Sequence, residues 1–300
     1  ALSRRLAGLI DRDTDILNPH DQVSHRAAYY FKKNVRDIPS VWMMIDMPTK
    51  TWGYWRKQEC GPKQHVSFVR RILWRLLDAY DLAHAIRAQN AIAVLDRRDR
   101  EWVKRYFGKD AVVVRSGIDP IQFSYRPRAG LDISGGLKIL AVGIFFTHRR
   151  FEDLLTAVGI LRRRGADVSC TIAGDYDSAR PYAEKLRRIA IEQDITPYVS
   201  FAGRVSDAEL LRQYHENDIF VFPSHLQSWG LAVFEAMSSG LPVVVSETAG
   251  ASEILENKKT ALVIPPKSPE AIAAAITALI EDPRLYGALS ERGRMFVESR

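Results

Sequence analysis

The sequence predicts a parallel α/β fold of Rossmann type, and three observations carry that prediction. From residue 137 onward, short apolar runs alternate with segments whose apolar residues recur at helical spacing. Glycines stand where such runs must turn, at Gly174 and Gly203. The stretch Gly240-Leu-Pro242 pairs a helix-stopping glycine with a proline that blocks continuation, directly before a β-branched run.

Taken in chain order, the first half is the less regular. Residues 15–18 and 41–45 read as strands, and 66–78 as a basic amphipathic helix. Residues 91–95 and 111–114 read as further strands flanking a helix over 98–107. Residues 126–136 are polar and rich in Pro and Gly, the expected linker between a domain over 1–125 and a second over 137–300. In that second domain strands are expected over 137–142, 168–173, 199–202, 219–222, 243–246 and 261–264. Helices are expected over 151–164, 182–193, 207–217, 231–239, 251–256 and 269–281. Six strands interleaved with helices make a Rossmann-type domain.

Composition narrows the class. Of 300 residues, 46% are hydrophobic and 26% charged, an ordinary globular balance that argues against disorder. No apolar stretch approaches the roughly 18 residues of a membrane span, and the first ten residues lack the apolar core of a signal peptide. The two cysteines, Cys60 and Cys170, have no metal-ligand spacing and read as buried thiols of a reducing cytoplasm. Charge is uneven: residues 1–136 hold 24 Lys+Arg against 15 Asp+Glu, and residues 137–300 hold 19 against 21. Such a basic half either attracts an anionic lipid, acceptor or nucleic acid, or is simply a solvated surface.

The informative segment is Phe222-Pro-Ser-His-Leu-Gln-Ser-Trp-Gly-Leu-Ala-Val-Phe-Glu-Ala-Met-Ser-Ser-Gly-Leu-Pro-Val-Val. It reads as strand, loop, helix, strand, and ligands of open α/β sheets bind beyond the carboxyl ends of such strands. Gly230 lets the backbone approach a ligand. The N–H groups of Leu231 and Ala232 then open a helix, an anion site suited to a diphosphate. Glu235, about one turn into the helix, can accept two hydrogen bonds from a ribose diol. In isolation the same pattern also fits a helix carrying one solvated acid.

This segment resembles the signature of family-4 glycosyltransferases (glycosyl transferases group 1), retaining enzymes of GT-B fold. The matched positions are Pro223, Ser224, Gly230, Glu235, Ala236, Met237, Gly240, Pro242, Val243 and Val244. The similarity spans residues 138–300 and, more weakly, reaches back to about residue 13. The resemblance implies two Rossmann-like domains facing a cleft. It implies that Glu235 binds the donor ribose and that Gly230, Leu231 and Ala232 receive the distal phosphate and sugar. Gly203-Arg204-Val205 resembles the turn beside the nucleotide base, and Ala249-Gly-Ala-Ser-Glu253 the loop after the next strand.

Two positions depart from the family pattern. Gln227 replaces the first glutamate of a paired-glutamate motif, keeping hydrogen bonding but bringing no charge. Gly143 is followed by Ile144, and the family's Lys-Gly pair aligns with Arg149-Arg150. A guanidinium binds phosphate well, so Arg149 is the expected phosphate cation and Arg150 the second; both also suit a plain helix start. His20 occupies the place of a histidine that faces the donor sugar in the family, against the alternative of an unliganded loop histidine; His25 reads as structural. Asp46 sits where a polar residue facing the acceptor is expected, and Arg115-Ser-Gly-Ile-Asp119 resembles a closing turn. The helix over 66–77 sets Arg70, Arg71 and Arg75 beside Phe68, Leu73 and Trp74, and either rests on an anionic membrane or packs on its domain.

The expected reaction is transfer of a hexosyl group from a nucleoside-diphosphate sugar to a hydroxyl of a glycan or lipid-linked acceptor, with the anomeric configuration retained. It is expected to need no cofactor and no metal, because no Asp-x-Asp cluster lies beside the site. The helix start, Arg149 and His20 would stabilise the leaving diphosphate. The expected compartment is the cytoplasm, at the inner membrane face if the basic helix binds lipid. The resemblance further implies a fragment lacking about 80–100 residues in front, by domain size, and a closing helix cut short at Arg300. Competing expectations are a non-catalytic sugar-nucleotide-binding relative, motivated by Gln227 and Ile144, and an epimerase of the same fold. Nucleic-acid binding is not expected, because aromatic and basic residues do not alternate.

Overall fold

The structure is a computed structural model that describes residues 2–61, 65–128, 130–131 and 134–300. The chain divides into two compact units, Ala1–Ser116 and Gly117–Arg300.

The first unit is built on a parallel three-stranded sheet, β1 (Val41–Met44), β2 (Ala91–Val94) and β3 (Val112–Val113), in that order. Around it run α1 (Leu2–Ala7), α2 (Asp21–Asn34), α3 (Lys50–Cys60), α4 (Phe68–Asp81) and α5 (Arg97–Trp102). Wider π turns extend α4 through Leu82–Ile86 and α5 through Val103–Phe107. Side-chain caps start three of the helices: Thr49 accepts from Trp52 N, Ser67 from Arg70 N, and Asp96 from Asp99 N. Trp42, Met44, Met47, Trp52, Ile92 and Val94 belong to the core. His25 is fully buried, bonded through Nε2 to Asp81 (3.1 Å) and stacked on Trp42, a packing role as expected.

Two features of this unit differ from expectation. Residues 15–18 make no strand, only isolated parallel bridges, Leu17 to Ser40 and His20 to Met43. Between them Pro19 accepts from Met43 N but has no N–H to return, so the ladder breaks. The helices α2 and α3 lie outside the sequence prediction. Their buried faces consist of His25, two alanines and Phe31 in α2, and of Trp52 and Cys60 in α3, too sparse for an apolar period.

The second unit is a six-stranded, wholly parallel sheet. Its strands are β4 (Leu137–Val142), β5 (Val168–Ala173), β6 (Val199–Gly203), β7 (Ile219–Phe222), β8 (Val243–Ser246) and β9 (Leu262–Ile264). Their spatial order is β6-β5-β4-β7-β8-β9. The crossovers are α6 (Phe151–Arg163), α7 (Arg180–Glu192), α8 (Asp207–Glu216) and α9 (Leu231–Ser238), followed by α10 (Pro269–Glu281) and α11 (Pro283–Glu298). β7 and β8 are buried along their whole length, as strands covered on both faces must be, and their sequences are accordingly apolar almost throughout. The expected helix over 251–256 is a 3₁₀ turn, Gly250–Ile254. The helix α11 occupies the end of the chain, where the resemblance implied a closing helix but the sequence pattern gave no bounds; Asp282 caps it by accepting from Arg284 N and Leu285 N, with Pro283 in the first turn. Both cysteines are buried, as expected.

The division between units falls after Ser116, ahead of the stretch expected as a linker. Positions 129, 132 and 133 of that stretch lie outside the described residues. Its Arg126 and Arg128 donate to the last carbonyls of α8, at His215 O (2.7 Å) and Tyr214 O (3.0 Å). Guanidinium groups there complement the negative end of the helix.

Candidate functional site

The order of the second sheet locates its ligand edge. The chain lays β4 in the middle, moves outward through β5 to β6, then returns to place β7 on the other side of β4. The direction of winding therefore reverses between β4 and β7, and in open parallel sheets that reversal leaves a crevice beyond the carboxyl ends. Three loops meet there. The N–H of His225, after β7, donates to His148 O, after β4 (2.7 Å). His148 Nε2 bonds to Gln227 Oε1 (3.1 Å), and Gln227 O accepts from Gly250 N, after β8 (2.8 Å). Non-glycine residues with left-handed backbones occur in two of these loops, Arg150 (φ 55°) and Leu226 (φ 58°), the kind of local strain that collects at binding sites. At the edge itself, a Cβ on Gly174 would run into the carbonyl oxygen of Gly143, so β4 and β5 close without side chains at that point.

The helix α9 opens on this edge. Gly230 precedes it at φ 148° and offers no side-chain cap, and a Cβ there would come within 3.0 Å of the Phe222 ring. The first N–H groups of a helix have no carbonyl in a preceding turn, so Leu231 and Ala232 present donors and the positive dipole end. Leu231 is exposed and Ala232 half-buried. One turn further, Glu235 is half-buried and its Oε2 accepts from Tyr214 Oη at 2.7 Å. Burial raises the Glu235 carboxyl above its ordinary range; the Tyr214 bond pulls it back and the charge of Asp207 adds to the rise. Tyr214, fully buried near the end of α8, is pushed well up, first by burial and then by that carboxylate.

The two adjacent arginines have separate surroundings. The Arg149 guanidinium lies over the ring of Phe222, the last residue of β7, at 5.7 Å, and its Nε is 3.0 Å from where a Gly143 Cβ would stand. It thus lies against the ends of both β4 and β7. Arg150 is turned into the start of its own helix, bonded to Asp153 (2.6 and 2.8 Å) and Glu152 (3.2 Å). Burial opposes the Arg150 charge, but the Asp153 bond and the two carboxylates together outweigh it, and the guanidinium is held up. Glu152 is shared with Lys185 (2.9 Å) and the Tyr182 hydroxyl.

Gly203 ends β6 at φ 70°, its carbonyl accepting from Gly174 N (2.8 Å), with the Tyr176 ring 3.2 Å from where its Cβ would be. Val205 is half-buried in the turn ahead of Ser206, the cap of α8. Arg149, Gln227, Gly230, Leu231 and Ala232 therefore gather around the β4–β7 reversal, with Glu235 one turn further along α9 and bonded to Tyr214 of α8, while Gly203 and Val205 stand two strands away along the same edge. His20 belongs to the first unit; it is exposed, precedes α2, and its Nε2 is bonded to Asn18 Oδ1 (2.8 Å). Asp46, also there, is paired with Arg56 (2.6 Å).

Three residues that partner these groups are beyond the reach of sequence reasoning. Tyr214 reads as core, although a buried phenol requires a partner and that partner is Glu235. His148, bonded to Gln227, sits in a run whose arginines are the stronger signal. Tyr176, beside Gly203, follows the β5 glycine with no motif to mark it. Among the described residues no group of three or more His, Cys, Asp or Glu side chains is placed to hold a metal ion. None of the helices is long and apolar enough to cross a membrane, again among the described residues.

Comparison with known proteins gives consistent likenesses. Residues 128–296 match the family described as glycosyl transferases group 1. Glycogen synthase of Mycobacterium tuberculosis is 26% identical over 226 residues, 73% of this chain and 52% of that protein. A GDP-mannose-dependent alpha-(1-6)-phosphatidylinositol monomannoside mannosyltransferase of Mycolicibacterium smegmatis is 26% identical over 305 residues, 95% of this chain and 78% of that protein. The chain spans about half the length of the first curated relatives it matches. Among solved structures, Anabaena HepE in complex with UDP-glucose has a TM-score of 0.80 at 15% identity, covering 100% of this chain and 78% of that one. Sucrose-phosphate synthase of Thermosynechococcus elongatus has a TM-score of 0.76 at 20% identity, covering 95% and 69%. These structural likenesses give the fold, GT-B with Rossmann-like α/β units.

Proposed function

Because the chain belongs to the glycosyl transferases group 1, we propose that it transfers a sugar from a nucleoside-diphosphate sugar to an acceptor hydroxyl, with retention of anomeric configuration. The observation that carries this reading is the uncapped start of α9 at Gly230 beside Glu235, at the reversal of a parallel sheet. In this proposal the N–H groups of Leu231 and Ala232 hold the distal phosphate, and the Arg149 guanidinium offsets the charge that grows on the leaving diphosphate. Glu235, with Oε2 held by Tyr214, accepts from the ribose diol. Gly203 and Val205 adjoin the base, and Gln227 hydrogen-bonds sugar hydroxyls. His20 is assigned a hydrogen bond to the donor sugar, as the resemblance implies, and Arg150 supports Arg149 through the helix start it closes.

The transfer is proposed as a metal-independent hexosyl transfer, so a chelator should leave the rate unchanged. The acceptor is proposed as a glycan or a lipid-linked hydroxyl in the cytoplasm, and the basic, apolar α4 supports contact with an anionic membrane. Relatives named for GDP-mannose and solved structures holding UDP leave the base open. One feature favours a second reading, binding without transfer: Gln227 is a neutral amide engaged by His148 where the family signature has a carboxylate. The deciding experiment is a calorimetric screen of UDP-, GDP- and ADP-sugars, followed by turnover with NMR of the product anomer. Binding with a product that keeps the donor's anomeric configuration supports transfer. Binding with no turnover on any acceptor supports the second reading, and no binding of any nucleotide overturns both.

A further inference from the structure

The first unit contains a cavity that the donor reading does not use. It measures about 530 Å³, within the range of small-molecule sites. Its walls are Met47, Trp52 and Trp55 of the β1–α3 region, Trp102 and Tyr106 of α5 and its π turn, and Leu82 after α4. From α4 it receives Arg75, Asp78 and Ala79, which with Leu82 fall on one helical stripe. Trp52 packs between Trp55 and Trp102, with ring centroids 4.8 and 4.1 Å apart.

The polar groups of this cavity are largely committed. Asp78 accepts from Lys50 N (2.8 Å), Thr51 N (2.9 Å) and Thr51 Oγ1 (2.6 Å), closing the start of α3. Thr49 Oγ1 accepts from Trp52 N. What is left are two cations of the lining, Arg75 and Arg105, neither in an ion pair among the described residues; Arg105 lies over the ring of Tyr106 at 5.6 Å, which leaves its guanidinium N–H groups to donate. A sugar needs a ring of hydroxyl acceptors and donors, and this lining does not supply one. An apolar chain ending in an anion is what aromatic walls and two guanidinium groups without carboxylate partners fit. The surface beside the cavity has the same character. On α4 only Asp81 is buried, while Phe68, Val69, Leu73 and Leu76 are 52–75% exposed. Contiguous apolar residues interleaved with Arg70, Arg71 and Arg75 suit an anionic bilayer surface rather than water.

We propose that this cavity takes the apolar chain of a phosphate-bearing lipid drawn from a bilayer on which α4 rests, its phosphate held by Arg75 and Arg105. The site lies wholly in the first unit, so it stands or falls apart from the donor reading, and its test contains no nucleotide.

The test is titration calorimetry of the full chain with dodecyl phosphate below its aggregation concentration, beside dodecanol, inorganic phosphate and maltohexaose. Dodecyl phosphate should bind saturably, and inorganic phosphate at least about tenfold more weakly. Ala79→Trp, which fills the cavity from an exposed helix position, and the pair Arg75→Glu with Arg105→Glu should each weaken binding about tenfold or more. If Ala79→Trp loses its native circular dichroism, Ala79→Leu replaces it. Sedimentation with phosphatidylcholine vesicles, with and without phosphatidylglycerol, supplies the second arm. Binding confined to phosphatidylglycerol vesicles and lost in the arginine variants supports a lipid source. Equal binding of inorganic phosphate, an affinity untouched by filling the cavity, saturable binding of maltohexaose, or indifference to phosphatidylglycerol would each overturn the proposal.

Discussion

At the scale of single residues, the second unit keeps a carboxylate in a place that does not favour its charge. Glu235 is held partly out of water by α9, with one bond from a fully buried phenol in partial compensation. Hydrogen bonds to charged groups contribute about 1.5–3 kcal/mol. Tyr214→Phe should therefore lower the stability of the chain by roughly that amount, read as a shift in the urea midpoint, and weaken nucleotide binding by loosening Glu235. The raised carboxyl also makes a pH prediction. Between the ordinary glutamate range and its raised native value, the folded chain holds a proton that the unfolded chain has released. Stability from this group is then present below the ordinary range and is lost as pH rises through the native value. Glu235→Gln should consequently melt higher than the parent near neutral pH and show no advantage in acid below the glutamate range. Equal melting temperatures at both pH values would contradict the burial assigned to Glu235.

Among the secondary-structure elements, the ends of β4 and β5 approach so closely at Gly143 and Gly174 that only glycine fits there, beside the proposed donor edge. Gly174→Ala would force a Cβ toward the Gly143 carbonyl at a φ of 154°, a strain of about 1–3 kcal/mol from the backbone alone. The expected result is a destabilised second unit with donor binding reduced in step, measured by thermal melts and calorimetry on the same preparation. The second-unit elements were legible because buried parallel strands must be apolar throughout. The edges of β4, β5, β7, β8 and α10 fall where the sequence pattern places them. The first unit was less legible for a physical reason. Its helix α2 buries small or polar side chains, such as Ala27, Ala28 and His25, so its periodicity is faint. The helix α11 had a readable start, an Asp cap before Pro283, but that signal also looks like the end of α10.

For the whole molecule, the two units carry opposite charge. Residues 1–116 hold 22 Lys+Arg against 13 Asp+Glu, and residues 117–300 hold 21 against 23. Any binding of the chain to anionic vesicles should therefore fall steeply as ionic strength rises, since the Debye length shrinks from about 10 Å at 0.1 M to about 3 Å at 1 M. Salt-insensitive sedimentation would contradict an electrostatic contribution. The candidate site was only partly legible, because its parts are assembled by tertiary packing. The motif from Pro223 to Val244 marked α9 and Glu235. It could not reveal that Tyr214, in α8 and ahead of β7, supplies the hydroxyl bonded to Glu235, since the two stand in different helices 21 residues apart and meet only in the folded chain. The seating of Arg149 against the strand ends, and of Arg150 in its own helix, was equally out of reach. Two adjacent arginines look alike in sequence and separate only through the left-handed turn at Arg150.

The most direct measurement is calorimetric titration of UDP and of GDP into the parent chain and into Glu235→Ala, a change at a half-buried position that leaves the start of α9 intact. The parent should bind at least one of the two, and the variant should bind it at least about tenfold more weakly, the loss expected for a charge-assisted pair of hydrogen bonds. A variant that binds as tightly as its parent would contradict the assignment of this helix start and its carboxylate as the donor site.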